Sequence, residues 1–161
     1  AVRPIYVDPV VHRTDLARSV LRPGDVLTNI VGPPLGKVGI VPEGDMDWNV
    51  NQAIAIFRVR TQICSRFLRL LLLTEAVQTW FARRAKQTSG QVNLTLGMCS
   101  RLPCLVPSGD EQERILGIVA SVEQRARTLQ DQLANLKQQR AGLMADLLSG
   151  RVTVNRIGAS P

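Results

Sequence analysis

Metal-binding and disulfide-forming side chains are scarce in this sequence. It has one histidine, His12, and three cysteines, Cys64, Cys99 and Cys104. The cysteines lack the spacing of a metal site and the even number of a bridged framework, and no Cys or His lies within ligand spacing of His12. The composition therefore predicts no metal, no cofactor and no disulfides. Reduced thiols are typical of a cytoplasmic protein.

Long apolar runs are also missing. The run Phe67–Leu73 is much shorter than the roughly 20 residues that a membrane-spanning helix needs. It is also interrupted by the charged Arg69. No signal peptide is visible. We therefore expect a cytoplasmic protein with no membrane partner.

Catalytic motifs are absent as well. There is no Asn-Pro-Pro-aromatic motif and no Gly-rich cofactor motif of an amino-methyltransferase. Glu43, Asp45 and Asp47 lie close together, but no Glu-x-Lys follows them to complete a nuclease site. The turn Gly32–Lys37 is not a phosphate-binding loop, because its glycines are too close together and no Ser or Thr follows its lysine. The sequence predicts a non-catalytic protein.

The chain does contain a long helix with a heptad repeat. From Asp110 to Ser149 there is no proline, and apolar residues recur every seven positions in two rows offset by four and three residues. The rows are Ile115, Val122, Leu129, Leu136, Leu143 and Val119, Ala126, Leu133, Arg140, Leu147. Such rows are the a and d positions of a coiled coil, and only Arg140 interrupts them.

A heptad seam is too narrow to enclose a core alone. The helix is about 60 Å long at 1.5 Å per residue, so it needs a partner helix of similar length in the same chain or another. The alternative is an amphipathic helix packed on its own domain. Ser108 followed by Glu111 has the spacing of a capping box, and Gly150 suits the position after a helix end. We therefore place the helix at 108–150 and a tail at 151–161.

The positive charge lies mainly before this helix. Residues 1–107 carry 13 Lys/Arg and 7 Asp/Glu, a net +6, whereas residues 108–161 carry a net +1. A basic globular part indicates a polyanionic partner such as DNA or RNA. A basic surface without a specific partner is the alternative. Arg outnumbers Lys 17 to 3, and Arg suits phosphates and guanine edges.

The first 107 residues predict an α+β fold, a small mixed β-sheet with two helices. The expected strands are 26–31, 37–41 and 51–59, separated by Gly/Pro turns. Apolar residues at helical spacing predict two helices, or one bent near Thr74–Glu75, over 62–86. We expect a polar loop at 87–93, a short strand or turn at 94–101, and another strand at 151–154.

Several motifs carry a resemblance to a known family when they are taken in order. They are Pro-Gly-Asp-Val-Leu (23–27), Gly-Pro-Pro-Leu-Gly-Lys-Val (32–38), Asn-Gln-Ala-Ile-Ala (51–55), Gly-Gln-Val-Asn-Leu (90–94), Leu-Val-Pro (105–107), Glu-Gln-Glu-Arg-Ile (111–115) and Leu-Leu-Ser-Gly-Arg (147–151). The set resembles the specificity subunit of type I restriction–modification systems over roughly residues 20–155.

The resemblance implies a target recognition domain at 1–107, incomplete at its N-terminus, followed by the conserved spacer helix. In that family each domain reads one half of a bipartite double-stranded DNA site. The helices of two units pair antiparallel, and the methyltransferase and restriction subunits dock on them. The sequence holds one such unit, so a second copy or a second half-unit is the expected helix partner. The alternative is a non-catalytic coiled-coil assembly protein, or a degenerate remnant without specific DNA binding.

Three polar segments are candidates for DNA contact, because their side chains suit phosphates and base edges. The first and best comprises Arg83, Arg84, Lys86, Gln87, Thr88, Ser89, Gly90, Gln91 and Asn93. The second is the turn that ends at Lys37, and the third and weakest is Asn49 with Asn51 and Gln52. The alternatives are a solvated helix end and loop for the first, a hairpin turn with an exposed lysine for the second, and a strand-entry role that satisfies backbone groups for the third. Trp80 and Phe81 are expected in the core rather than against bases.

Overall fold

The computed structural model describes residues 5–44, 47–60, 62–88 and 91–153, with only the backbone for 86–88 and 91. Within these ranges the chain forms five α-helices and five β-strands. In order they are α1 (Pro9–Arg13), β1 (Val26–Asn29), β2 (Val38–Ile40), β3 (Ile54–Phe57), α2 (Ser65–Leu72), α3 (Glu75–Arg84), β4 (Lys86–Thr88), β5 (Gln91–Asn93), α4 (Leu96–Cys99) and α5 (Gly109–Leu148). The predicted α+β class is confirmed.

Strand β1 is the centre of a three-stranded sheet with the order β2-β1-β3. Val26 of β1 pairs with Ile40 on one side and with Phe57 on the other. All described pairings are antiparallel, whereas the sequence favours a mixed sheet. Neighbouring parallel strands require a crossover of a dozen or more residues, and the connection from β1 to β2 is shorter.

The core lies between this sheet and helices α2 and α3. Val26 and Ala55 face it from the sheet, Leu72 from α2 and Phe81 from α3, each no more than 2% exposed. Burial of each large apolar side chain contributes about 1.5–3 kcal/mol. The core therefore holds α2 and α3 on the sheet.

Hydroxyl and thiol caps fix where α2 and α3 begin. The Thr74 hydroxyl accepts from the Val77 N–H at 3.4 Å and starts α3. The Cys64 sulfur accepts from the Phe67 N–H at 3.4 Å and starts α2. Caps of this kind satisfy N–H groups that lack a partner inside the helix. The predicted break near Thr74–Glu75 is confirmed, since the segment forms two helices.

The long helix α5 begins and ends close to the predicted residues. Ser108 accepts the Glu111 N–H at its hydroxyl, 3.4 Å away. After Leu148 the backbone leaves the helix through Gly150, which has φ 74°. Glycine adopts this left-handed conformation without the steric cost of a Cβ. Local caps therefore set both ends, as the sequence predicts.

Three short segments differ from the prediction, and a helix forms in the N-terminal segment, where the sequence predicts no element. The polar loop expected at 87–93 contains β4 and β5, which pair as an antiparallel hairpin. The strand or turn expected at 94–101 contains α4, whose first N–H groups are capped by the Thr95 hydroxyl. The N-terminal segment forms α1, with Asp8 as its cap. The strand expected at 151–154 is not formed at 151–153, and Val154 lies outside the described residues.

Contacts within the chain divide it into two compact units, Ala1–Leu116 and Gly117–Pro161. The first two turns of α5 therefore belong to the globular unit. Among the described helices none combines the length and apolarity needed to cross a membrane.

Candidate nucleic-acid interface

The end of β1 joins the three candidate segments through backbone hydrogen bonds. The Ile30 N–H donates to the Ala53 carbonyl at 2.8 Å, and the Ile30 carbonyl accepts from the Leu94 N–H at 2.8 Å. The Gly32 N–H donates to the Val92 carbonyl at 3.0 Å. The turn after β1 therefore lies beside the β4–β5 hairpin, and Ile30 contacts both the turn before β3 and the residue after the hairpin.

We call this region the β1-end surface and define it as residues 32–37, 51–53 and 83–93. The sequence offers its parts as separate candidates, and the structure brings their backbones together. The three segments contain four Lys/Arg and no Asp or Glu. A cluster of cations without acidic neighbours attracts a polyanion.

The turn 32–37 is held in one conformation by side chains from outside it. The Asn29 amide donates to the Pro34 carbonyl at 2.7 Å, and its oxygen accepts from the Lys37 N–H at 2.8 Å. Gln78 of α3 donates to the Gly36 carbonyl at 3.1 Å. A Cβ at Gly36 would collide with the Gln78 side chain. These contacts present the exposed Lys37 from a fixed backbone.

The last turn of α3 carries two exposed cations with different surroundings. The Arg84 guanidinium lies over the Trp80 ring, 4.1 Å from its centroid. Arg83 has no hydrogen bond or ion pair with any described side chain. Phe81 is buried, as expected of a core residue. Trp80 is only half-buried and supports Arg84, a role that the sequence does not predict.

The hairpin contributes mainly its backbone to the described surface. In β4 and β5 the predicted DNA-contacting residues Lys86, Gln87, Thr88 and Gln91 take part in the strand pairing. Their side chains, and all of Ser89 and Gly90, lie outside the described part of the chain.

Asn93 ends β5 and is half-buried. Its backbone forms a bridge with Val31, and its side-chain oxygen has no hydrogen-bond partner among the described residues. A buried oxygen without a donor is costly. This oxygen is buried, so the structure does not present it to a ligand.

The third segment divides into two roles. The Asn51 oxygen accepts the Ala53 N–H at 3.0 Å, so this side chain satisfies the turn that leads into β3. Gln52 is exposed and makes no described side-chain hydrogen bond. Of the two, Gln52 is the one free to contact a ligand.

A buried ion pair that the sequence analysis missed holds the turn before β1. Asp25 is 3% exposed and accepts two hydrogen bonds from the Arg58 guanidinium, at 2.8 and 2.6 Å. It also accepts the Arg22 N–H at 2.8 Å. Burial alone would raise the Asp25 pKa, but these hydrogen bonds and the charges of Arg58 and Arg22 outweigh it and lower the pKa. The Pro-Gly-Asp motif contains Asp25, but no local pattern indicates Arg58.

The predicted helix-pairing residues form an apolar row along α5. Ile115 and Val119 are half-buried. The remaining six, which are 43–63% exposed, are Val122, Leu129, Leu133, Leu136, Leu143 and Leu147. Single exposed apolar residues are ordinary, but a continuous row marks an interaction surface.

Gln112 fixes the start of α5 to the globular unit. It is 2% exposed, and its amide donates to the carbonyls of Gln62 and Pro107 at 2.8 and 2.9 Å. Its oxygen accepts the Cys64 N–H at 3.0 Å. This residue belongs to the Glu-Gln-Glu-Arg-Ile motif, so its contacts give that motif a physical role.

Replacing Gln112 by leucine is expected to destabilise the globular unit by about 1–3 kcal/mol, because three backbone groups lose their partner. Urea denaturation measures this loss, and hydrogen exchange should show faster exchange at the Cys64 N–H. Gln124→Leu, at an exposed position of the same helix, is the matched control and should change stability by no more than about 0.5 kcal/mol. Equal effects of the two substitutions would contradict a role for the buried amide.

A scan of protein-family models finds no match to the chain, and a search of curated proteins finds none either. Among the described residues there is also no group of three or more side chains that could hold a metal ion.

Proposed function

We propose that the chain is a DNA-recognition subunit in which the β1-end surface binds one half of a bipartite double-stranded site. The carrying observation is the convergence of three acid-free segments at one end of the sheet, two of which carry four cations in total. Phosphate contacts need cations, and base edges need planar donors and acceptors such as Arg, Gln and Asn. The exposed Lys37, Gln52, Arg83 and Arg84 supply both kinds of group.

In this proposal the helix α5 pairs with a matching helix, and the resulting framework docks methyltransferase and restriction subunits. The ordered motifs that resemble type I specificity subunits support this arrangement. The chain itself would supply recognition, and its partners would supply adenine methylation and DNA cleavage. Adenine methylation by the purified chain alone would contradict this division of roles.

Arg140 favours an antiparallel partner helix. In a parallel, in-register pair each Arg140 would face its copy inside the seam, and two like charges there repel. In an antiparallel pair centred between Leu129 and Leu133, Arg140 instead faces Val122 of the second helix. The two Arg140 residues are then about 27 Å apart along the helix axis.

In this register the other seam residues meet as apolar pairs, Ile115 with Leu147, Val119 with Leu143, Ala126 with Leu136 and Leu129 with Leu133. A second copy of this chain therefore gives every apolar seam residue except Val122 an apolar partner.

The exposed apolar row also favours a second candidate function, a coiled-coil assembly protein without DNA binding. Salt dependence separates the two. Binding through phosphate contacts weakens steeply as salt rises, because condensed counterions are released. An assembly protein held by an apolar seam should bind no DNA and pair almost independently of salt.

Changing Arg83, Arg84 and Lys86 to alanine is expected to weaken binding to mixed-sequence duplex DNA. It should also flatten the plot of log affinity against log salt by up to about three units, since each lost phosphate contact contributes about 0.9. Fluorescence anisotropy of a labelled duplex over a salt series measures both quantities.

The matched control removes three exposed arginines outside the β1-end surface, Arg18, Arg69 and Arg101. It lowers the net charge equally but should change the slope much less. Equal slopes for the two triple variants would show that only net charge matters. Absence of salt-dependent binding by the unaltered chain would refute the proposed function.

A further inference from the structure

We infer that Arg84 is a specificity-determining residue that reads a guanine base, while the neighbouring Arg83 contacts phosphate. The inference rests on the proposed function and adds the base and the residue that recognises it. It starts from the different surroundings of two adjacent arginines that the sequence does not distinguish.

The platform under Arg84 is anchored in the core. Trp80 packs edge-on against Phe81, with ring centroids 5.8 Å apart and planes at 71°. Phe81 is 1% exposed and belongs to the core cluster. Trp80 and Arg84 are four residues apart on α3, so they lie on the same side of the helix. The indole therefore gives the guanidinium a fixed support.

Stacking holds the plane of the Arg84 guanidinium and leaves its edges free. The N–H groups of a guanidinium point outward in its own plane, and the indole covers only a face. Arg84 makes no hydrogen bond or ion pair with another described side chain. Its in-plane donors are therefore available to a ligand.

A fixed plane matters more for a base than for a phosphate. Guanine presents O6 and N7 side by side in the major groove, and Arg meets both with two parallel hydrogen bonds. Such a contact needs an orientation held by packing. A phosphate accepts a cation from many directions, and the unstacked Arg83 is sufficient for that role. Arg84 thus has the properties of a base-contacting residue, and Arg83 has those of a phosphate-contacting residue.

The test begins with selection of preferred sites from a random duplex pool by the unaltered chain. The selected guanine is then replaced by 7-deazaguanine, which keeps O6 but lacks the N7 acceptor. Affinity should fall by roughly 3- to 10-fold, about half of a whole bidentate contact on a logarithmic scale, because the hydrogen bond to O6 is kept. Selection of sites without any guanine in common would overturn the inference.

Variants then assign the contact to a residue. Arg84→Ala should bind the guanine and 7-deazaguanine duplexes alike, because alanine has no side-chain donor for N7. Arg83→Ala should weaken both duplexes by the same factor and preserve the preference. Trp80→Phe, which keeps an aromatic platform, should retain more of the preference than Trp80→Leu.

The outcomes distinguish this inference from the proposed function. If the chain binds DNA with a strong salt dependence but Arg84→Ala keeps the preference for N7, Arg84 is not the reader. If Arg83→Ala and Arg84→Ala have the same effect on both duplexes, both residues are phosphate contacts. If the unaltered chain recovers no DNA from the pool, the proposed function fails as well.

Discussion

Replacing Leu129 and Leu136 by aspartate is expected to abolish pairing of α5 with a second copy of the chain. Both leucines are more than half exposed, and both would be buried at the centre of an antiparallel seam. Each loses about 1.5–3 kcal/mol of burial per chain, and the new carboxylates would be buried without partners. The dissociation constant should rise at least about a thousand-fold.

Sedimentation equilibrium over a range of concentrations measures this change. The matched control is Gln124→Asp with Gln138→Asp, which adds the same charges on the side of α5 away from the seam. These positions are exposed, so the control should still pair. An unaltered chain that stays monomeric at high concentration, with α5 helical by circular dichroism, would contradict pairing between copies.

Replacing Asp25 by asparagine is expected to destabilise the globular unit by about 2–3 kcal/mol. The substitution keeps the shape but removes the charge, and the new amide turns an N–H toward the Arg58 or Arg22 donors. Breaking a fully buried pair costs about 3–5 kcal/mol. The Arg58 side chain is 42% exposed, so water reduces the loss.

The same carboxylate makes stability depend on pH. The Asp25 pKa is lowered in the folded protein from an ordinary value of 3.8, so folding favours the ionised form. Its contribution is fully present above that ordinary value and is lost as pH falls through the lower, folded value. Urea denaturation at neutral pH and below pH 3.8 should show the unaltered protein losing more stability than Asp25→Asn.

Asp15→Asn is the control for both measurements, because Asp15 is exposed in the same unit. It should change stability by no more than about 0.5 kcal/mol at neutral pH. If the two variants have equal stability and equal pH dependence, the ion pair makes no net contribution.

Features set by local chemistry could be predicted from the sequence. The ends of α5 follow from Ser108 and Gly150, and the break between α2 and α3 follows from the Thr74 cap. Gly/Pro turns place the three strands, although β3 is shorter than expected. These signals act over a few residues, so a single sequence contains them.

The position of the hairpin depends on a distant partner, whereas α1 has a local signal that the sequence analysis missed, the Asp8 cap followed by Pro9. Strand β5 is too short to show a periodic apolar pattern, and it is positioned by the bridge between Asn93 and Val31. Helix α1 is connected to the segment before β3 by a hydrogen bond between His12 and Asn49 at 2.6 Å. Pairings between segments far apart in the chain leave no short-range pattern.

The candidate interface was predictable in its parts but not as a surface. Residue types identify Lys37, Gln52, Arg83 and Arg84 as candidates. Their proximity depends on the hydrogen bonds of Ile30 and Gly32, which are backbone contacts independent of side-chain identity. Trp80 and Arg84 are four residues apart, so their stacking is a local contact. That spacing was the signal from which the stacking could have been predicted.

The contacts of Gln112 also determine which positions are free to vary. All three of its partners are main-chain groups, of Gln62, Cys64 and Pro107. Main-chain N–H and C=O groups remain in place when the side chains of their residues are substituted. These three hydrogen bonds therefore place their chemical requirement on Gln112 and almost none on the side chains of the globular unit. The start of α5 also has an ion pair of Glu113 with Arg66 at 3.0 Å, but an exposed pair contributes little. A globular unit that diverges in sequence can keep the Gln112 contacts to an unchanged helix.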